Sequence, residues 1–324
     1  MPRLRTPVIL ASCLALVLGA CGSTSEGSGS EGSGGSGENA SLEVVASFYP
    51  LEYLVQRIAG ERAEISVLTG PGADPHDAEL SPRAVQTVGS ADLVVYSSGL
   101  QAAVDDAVAG QAPDTSLDVT PVADLMGAGE SAEEHDEHEH AEEEGDGHDH
   151  GGEDPHFWLD TQRYADVAEA VAERLAQVDP EGADTYQDNV ADLVAELEAL
   201  DEEYAAGLAD CASRDLVTSH EAFGYIASRY DLHQYGITGI SPDSEPSPAR
   251  LAEVSAQVEE LGVETVFAEP LVGDQIARTV AQETGVEVLT LDPIESLTEA
   301  TADSDYIEIM RANLEAMSEG LGCS

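Results

Sequence analysis

The sequence predicts an α/β protein with two lobes of parallel sheet joined by one long helix. Short apolar runs alternate with amphipathic stretches over residues 42–122 and again over residues 214–319. Such alternation is typical of βα units, whose parallel sheets are covered on both faces. Between these two regions, residues 180–208 keep one apolar stripe at helical spacing, which is long enough for a helix of about 43 Å.

The first lobe is placed at residues 42–179. Its predicted strands are LEVVAS (42–47), EISVLTG (64–70), ADLVVYSSG (91–99) and SLDVTPV (116–122). Helical patterns follow the first three strands, and a further helix is predicted over residues 162–178. Residues 130–153 interrupt the pattern with acids and histidines and almost no apolar side chains, which predicts a solvated loop.

The linking helix is placed at residues 180–210, where Asp179 can cap the first turn and Pro180 suits the first position. The second lobe, residues 211–324, repeats the alternation without a visible sequence repeat. Its predicted strands are RDLVTSH, LHQYGIT, ETVFAEP and VEVLTLDP, and its last predicted helix covers residues 304–319.

Residues 1–20 have the pattern of an export signal. Two arginines precede an apolar run over residues 8–20, which is too short to span a bilayer but has the size of a signal core. The sequence LGAC at residues 18–21 resembles a bacterial lipobox, in which Cys21 becomes the lipid-bearing first residue; an ordinary secretory signal is the alternative. The Gly/Ser-rich residues 21–41 then form a tether. We therefore expect an extracytoplasmic protein that is anchored to the membrane by lipid alone.

The net charge limits the classes of partner that the protein can bind. The chain has 12 basic and 65 acidic residues and a formal net charge of −53, which argues against nucleic acid or anionic lipid as a partner and favours cations.

Cys211 and Cys323 remain once the signal and Cys21 are set aside. In an exported protein such an even pair is by default a disulfide, and the two residues are too far apart for the C-x-x-C spacing of zinc thiolates.

Four polar side chains follow predicted strands, where ligands of open α/β sheets gather. They are His76, His220, Glu269 and Asp292. His156, in DPHFWLD, stands between the acidic loop and the following helix. Taken singly, each of these residues also has an ordinary structural interpretation. Three imidazoles and a carboxylate together fit a tetrahedral site for a divalent metal, and zinc is the first candidate for that metal.

Six short motifs give the chain from residue 42 onward a specific resemblance. They are FYPL (48–51), GADPHDAEL (72–80), ADLVVYSSGL (91–100), DPHFWLD (154–160), TSHEAFGY (218–225) and LDPI (291–294). In order and spacing they resemble the metal-binding lipoproteins of ABC transporters, specifically the zinc-uptake solute-binding proteins of the cluster that also contains manganese and iron binders.

The resemblance implies two (β/α) lobes joined by a rigid long helix, with the metal between the lobes. His76 and His156 would be ligands from the first lobe, and His220 and Asp292 from the second. Relatives regarded as manganese binders usually carry Glu at the position of His220, which favours Zn²⁺ here because imidazole suits zinc. Glu269 or water remain alternatives for the fourth ligand.

The functional expectation is a zinc-binding component of an ABC importer that delivers Zn²⁺ to a cognate permease. We expect a monomer that is not an enzyme. The alternatives are a manganese or iron binder of the same cluster, a surface adhesin, or a zinc hydrolase with Glu221 as its base, although the chain has no H-E-x-x-H motif.

Five further histidines lie in the acidic loop: His135, His138, His140, His148 and His150. Two interpretations remain open, a weak secondary zinc site that collects or senses metal and a solvated loop without a metal role. The neighbouring carboxylates favour imidazolium and so oppose metal binding at mildly acidic pH. His156, which begins ordered structure after the loop, is the stronger candidate for an essential ligand.

Overall fold

Two four-stranded parallel sheets organise the protein, whose computed structural model describes residues 41–127, 152–242 and 246–324. The strands of the first sheet are β1 (Leu42–Ala46), β2 (Ala63–Val67), β3 (Leu93–Tyr96) and β4 (Ser116–Asp118). The strands of the second are β5 (Asp215–Thr218), β6 (His233–Gly236), β7 (Thr265–Ala268) and β8 (Glu287–Thr290). The orders are β2-β1-β3-β4 and β6-β5-β7-β8, so both sheets have the same topology. The predicted fold class is confirmed.

Helices connect the strands as expected for βα units. They are α1 (Tyr49–Ala59), α2 (Pro82–Ser90), α3 (Ala102–Gln111), α4 (Thr120–Ala123), α5 (Thr161–Val178), α6 (Ala183–Gly207), α7 (Gly224–Tyr230), α8 (Pro248–Leu261), α9 (Gln275–Thr284) and α10 (Tyr306–Gly320). Local side chains determine where several helices begin. Ser81 and Ser247 cap α2 and α8, and in each helix a proline follows the capping serine. A capping box formed by Asp305 and Glu308 begins α10.

The strands divide their side chains between a shared core and an outer layer. In β1, Val44 and Ala46 join the large central core and Val45 faces an outer cluster, as the period of two in a strand requires. In β5, Leu216 joins the same central core and Val217 faces the other outer cluster. The two sheets therefore share one hydrophobic core, and Ser41–Ser324 forms one compact unit.

The long helix begins three residues later than expected. Residues Pro180–Gly182 form a 3₁₀ turn, and α6 covers 25 residues, a length of about 37 Å. The Asp179 carboxylate does not cap the helix; it accepts hydrogen bonds from Arg62 and from the hydroxyl of Tyr186. The predicted stripe is buried except at the partly buried Val194, and α6 packs on α1 and α5 of the first half and on α10 of the second.

Two further sequence expectations have clear outcomes. The strand predicted over residues 116–122 ends at Asp118, since Thr120 and Pro121 begin the short helix α4. The Cys211–Cys323 disulfide is present. Within the described ranges, no helix is long and apolar enough to cross a membrane.

Several predicted features lie outside the described residues. These are the export signal, the lipidation site Cys21 and the Gly/Ser tether, together with the loop histidines His135, His138, His140, His148 and His150.

Candidate metal centre

The second sheet supplies two polar side chains at its centre. His220 follows β5 by two residues and Glu269 directly follows β7. These strands are neighbours at the point where the strand order reverses, which is where ligands of open α/β sheets bind. The parallel register therefore brings the two residues together from positions 49 apart in the chain.

Loops bring the other residues to the same place. His76 lies on the loop between β2 and α2, where its backbone N–H donates to Asp74 Oδ1 at 2.8 Å. His156 precedes a 3₁₀ turn, Phe157–Leu159, and its backbone N–H donates to Asp154 Oδ1 at 3.0 Å. Glu295 lies five residues beyond the end of β8.

Three imidazole nitrogens surround one oxygen of Glu295. From Glu295 Oε1 the distances to Nε2 of His76, His156 and His220 are 3.3, 3.1 and 3.4 Å, respectively. The Nε2 atoms of His156 and His220 are 3.4 Å apart. A tetrahedron with ligands about 2.0–2.1 Å from a central zinc ion has edges of about 3.3–3.4 Å. These four distances match the edges of a zinc tetrahedron, and the four ligand atoms all lie within 4.8 Å of one another.

The group is sealed from solvent. The side chains of His76, His156 and His220 have no exposed surface, and that of Glu295 is 2% exposed. Burial of polar and charged groups is costly unless they are paired or coordinate a metal. Three buried imidazoles around one buried carboxylate are therefore expected to serve a binding role.

Two further carboxylates hold the rings of His156 and His220 from behind. Nδ1 of His156 lies 2.7 Å from Asp154 Oδ1, and Nδ1 of His220 lies 2.5 Å from Glu269 Oε2. Glu269 Oε1 also accepts the backbone N–H of His220 at 2.9 Å. Carboxylates in this position fix the tautomer and orientation of a metal-binding histidine and leave Nε2 free for the metal.

The charges in this site shift the ionisation of its members. Burial acts to lower the pKa of His156, but Asp154 and Glu295 outweigh it, and the pKa of His156 lies above its ordinary value. In the same way Glu269 and Glu295 outweigh burial and hold the pKa of His220 well above the ordinary value. Burial acts to raise the pKa of Glu295, but the three histidines hold it well below its usual range. Glu295 is therefore a carboxylate throughout the physiological pH range.

Among the described residues, His76, His156, His220 and Glu295 form the group of His, Cys, Asp and Glu side chains able to hold a metal ion. A sequence model of the ZnuA family, zinc-uptake complex component A, periplasmic, matches residues 44–320. The chain belongs to this family.

Relatives of the ZnuA family support the match along most of the chain. The zinc-binding lipoprotein AdcA of Streptococcus pneumoniae serotype 4 is 33% identical over 321 residues, which cover 96% of this chain and 60% of AdcA. The high-affinity zinc uptake system protein ZnuA of Bacillus subtilis is 32% identical over 318 residues, 97% of this chain and 96% of that protein. The chain thus spans about 60% of the AdcA relatives and nearly all of the Bacillus protein.

A solved structure shows the same fold. The Zn(II)-bound ZnuA-like domain of Streptococcus pneumoniae AdcA superposes with a TM-score of 0.71 at 30% identity, covering 87% of this chain and 99% of that domain. The resemblance seen in the sequence motifs is therefore confirmed at the level of family and fold, including the two lobes.

Asp292, the fourth ligand expected from the ZnuA-family motif, is not a member of the four-residue group. Its Oδ1 accepts the backbone N–H of Ile294 at 2.8 Å, so this oxygen is committed to the turn after β8. Burial, with added repulsion from Glu295 and Glu269, raises the pKa of Asp292 to about 6. The alternative fourth ligand, Glu269, lies behind His220 and is not in the group either.

The sequence motif does not single out Glu295. The stretch LDPIESL carries two acids after β8, and the first, Asp292, matches the family motif and ends the predicted strand. The signal for Glu295 is the presence of this second acid between the apolar residues Ile294 and Leu297 in the sequence. Glu221, the conceivable base of a hydrolase, lines a separate cavity with Ile237, Thr238 and Arg250.

Proposed function

We propose that this chain captures Zn²⁺ outside the cytoplasmic membrane and delivers it to the permease of an ABC importer. The observation that carries the proposal is the grouping of three imidazole Nε2 atoms around Glu295 Oε1 at distances that match the edges of a zinc tetrahedron. In this proposal His76, His156, His220 and Glu295 bind the ion, and Asp292 does not. The zinc-binding relatives support the choice of cargo.

The donor set favours zinc over harder ions. Manganese, magnesium and calcium prefer carboxylate, carbonyl and water oxygens in six or more positions. Three imidazoles with one carboxylate suit a four-coordinate zinc ion instead. Zn²⁺ with one bound carboxylate and neutral imidazoles carries a net charge of +1, and the carboxylates of Asp154 and Glu269 lie behind two of the rings to offset it.

The same arrangement supports a carrier over a hydrolase. Catalytic zinc keeps an open position for water beside three protein ligands. Here four protein atoms occupy the corners, and the side chains are buried. Ligands drawn from both halves of the chain also allow release by a small relative movement of the two halves.

The location and assembly follow from the same proposal. Cys21 would carry the lipid that holds a monomer at the outer face of the membrane, and the permease would receive the ion there. Replacing Cys21 with Ser is expected to move the protein from the membrane fraction to the soluble fraction. Retention of Cys21→Ser in the membrane fraction would contradict lipid anchoring through this residue.

Metal titration tests the cargo. Protein stripped with a chelator is titrated with Zn²⁺ and Mn²⁺, and we expect one tight zinc equivalent that manganese does not displace. Removal of residues 130–151 should leave that equivalent intact. His220→Glu should raise the relative affinity for manganese, and His233→Glu, at a histidine outside the group, is the control. Preferential retention of manganese by the unmutated protein would overturn the assignment of zinc.

Loss of the gene tests delivery. A deletion strain should grow poorly in medium depleted of zinc by a chelator, and added zinc or the unmutated gene should restore growth. The Glu295→Gln gene should restore growth less well. Rescue by manganese and not by zinc would contradict the proposal.

A further inference from the structure

The turn that carries Glu295 has an unusual backbone. Ile294 has a φ of 61°, which is the left-handed region that β-branched residues rarely adopt. Its side chain is fully buried in the central core. Glu295 follows at once, so the conformation of Ile294 decides where the Glu295 carboxylate points. A conformation that is costly in itself persists only where its surroundings enforce it.

Asp292 is the first of these enforcing contacts. Its Oδ1 accepts the backbone N–H of Ile294 at 2.8 Å, the side-chain turn that Asp and Asn both form readily. Its Oδ2 is buried and makes no hydrogen bond to the part of the chain that the structure describes. The hydrogen bond of the Asp292 side chain thus stabilises the turn.

Helix α10 holds Asp292 from the other side. Asn313, which is 3% exposed, accepts the backbone N–H of Asp292 with its Oδ1 at 2.8 Å. Its Nδ2 donates to the backbone carbonyl of Asp292 at 2.6 Å. One buried amide therefore satisfies both backbone groups of the residue that shapes the turn.

The segment of His156 is tied to the same turn. Trp158 donates its indole N–H to the carbonyl of Pro293 at 2.7 Å. Tyr306, at the start of α10, donates its hydroxyl to the carbonyl of Trp158. The turn beside Glu295 and the residues after His156 are thus fixed to each other and to one helix.

We infer that Asp292 and Asn313 are positioning residues for zinc binding, which hold Ile294 in its left-handed conformation and so place Glu295 Oε1 among the three imidazoles. The inference rests on the proposal that Glu295 binds zinc. It assigns to Asp292 a role through its hydrogen bond, without direct contact with the ion. Loss of this turn withdraws the carboxylate and leaves three imidazoles, which hold zinc less tightly and release it faster.

The test compares Asp292→Asn with Asp292→Ala. Asparagine keeps the oxygen that accepts the Ile294 N–H, whereas alanine removes it. We expect Asp292→Asn to keep the visible absorption bands of the Co²⁺-loaded protein and the rate at which a chelator removes zinc. Asp292→Ala should shift the Co²⁺ bands and weaken zinc binding by about 10- to 100-fold, the usual effect of losing a residue that orients a ligand. Asn313→Leu should behave like Asp292→Ala.

A matched control separates positioning from stability. Tyr204 donates a buried hydrogen bond to the carbonyl of Met310 on α10, a bond that involves no residue of the turn. Tyr204→Phe should lower the thermal midpoint while leaving the Co²⁺ bands unchanged. Equal loss of zinc binding in Asp292→Asn and Asp292→Ala would overturn the inference, because the carboxylate itself would then be needed.

The outcomes also separate this inference from the proposed function. If Glu295→Gln leaves the Co²⁺ spectrum and zinc binding unchanged, the proposed ligand set fails and the inference fails with it. If Glu295→Gln changes both and Asp292→Ala changes neither, the ligand set stands and only the positioning role is wrong.

Discussion

At the residue scale, the site depends on histidines whose two ring nitrogens have different partners. In His156 and His220 the Nδ1 side meets a buried carboxylate, while Nε2 faces Glu295. A ring held in this way is limited to one tautomer and one orientation. In the proposed site, Asp154 and Glu269 would therefore contribute to the free energy of zinc binding without touching the ion.

Removing these supporting carboxylates should weaken zinc binding. The two carboxylate oxygens of Glu269 accept the backbone and the ring N–H of His220. In Glu269→Gln one of these oxygens is replaced by an NH₂ group, which donates and cannot accept. We expect Glu269→Gln and Asp154→Asn each to lower zinc affinity about 10- to 100-fold, measured by competition with a chelator. Asp215→Asn is the control, since Asp215 pairs with His233 outside the site. An affinity unchanged in both variants would show that the supporting carboxylates are dispensable.

Zinc and protons should compete for the same nitrogens. Because the pKa values of His156 and His220 are raised in the metal-free protein, both rings hold protons to higher pH than ordinary histidines. Glu295 is already ionised and releases none. Zinc affinity should rise with pH around and above the ordinary histidine pKa of about 6.5. At neutral pH, binding of one zinc ion should release at least about one proton. Calorimetry in buffers of different ionisation enthalpy measures this number, and the absence of proton release would contradict the assignment.

At the element scale, α6 joins the two halves through contacts that differ in burial. Arg229 of α7 donates to Asp201 of α6 at 2.6 and 2.8 Å, and the Tyr230 hydroxyl donates to the same carboxylate. Two residues farther along α6, Glu203 pairs with Arg311 of α10, where both side chains are about half exposed. The Asp201 cluster is the contact that should matter for stability, since exposed pairs contribute little.

Replacement of Asp201 by Asn should therefore destabilise the protein by about 1–2 kcal/mol at pH 7. The hydrogen bond from Arg229 is the main cause that lowers the pKa of Asp201. A lowered folded-state pKa contributes stability that is present above the unfolded value of about 3.9 and is lost as the pH falls through the folded value. The difference in free energy of unfolding between the two proteins should be constant from about pH 5 to about pH 8 and should shrink below about pH 4.

Urea unfolding of both proteins across this range measures the difference. Glu203→Gln on the same helix is the control and should cost less than about 0.5 kcal/mol. An Asp201→Asn effect no larger than that of Glu203→Gln would contradict the importance assigned to the partly buried Arg229–Asp201 pair.

At the scale of the whole molecule, the two sheets share one hydrophobic core, and the metal centre draws its residues from both halves. Zinc that binds the folded chain and not the unfolded chain should raise stability by about 4 kcal/mol when free zinc exceeds the dissociation constant about 1,000-fold. Thermal unfolding with and without Zn²⁺ measures the effect, and Mg²⁺ at the same concentration is the control. An equal shift with Mg²⁺, or the full zinc shift in Glu295→Gln, would contradict the proposed site.

Local sequence was sufficient for most of the fold and for part of the site. Short apolar runs such as LEVVA, and serines ahead of a proline at Ser81 and Ser247, determine their elements through neighbours in the chain. The pairing of Asp179 with Arg62 is not predictable from local sequence, because the two residues lie 117 positions apart. Contacts at such a distance in sequence depend on how the elements pack.

The candidate site divides in the same way. His220 and Glu269 could be placed at the ends of strands, where the topology gathers polar residues. The choice between the two acids of LDPIESL could not be made locally, because it depends on the left-handed conformation of Ile294. Asn313 of helix α10, a distant part of the chain, supports that conformation. The short motif itself contains no signal that predicts it.

The most direct test of the central claim is a crystal structure of the zinc-loaded protein with anomalous scattering recorded at the zinc edge. We expect one ion at about 2.0–2.2 Å from Nε2 of His76, His156 and His220 and from a carboxylate oxygen of Glu295. Asp292 should still accept the N–H of Ile294. An ion bound by Asp292 in place of Glu295, or one that leaves any of the three histidines uncoordinated, would contradict the proposed ligand set.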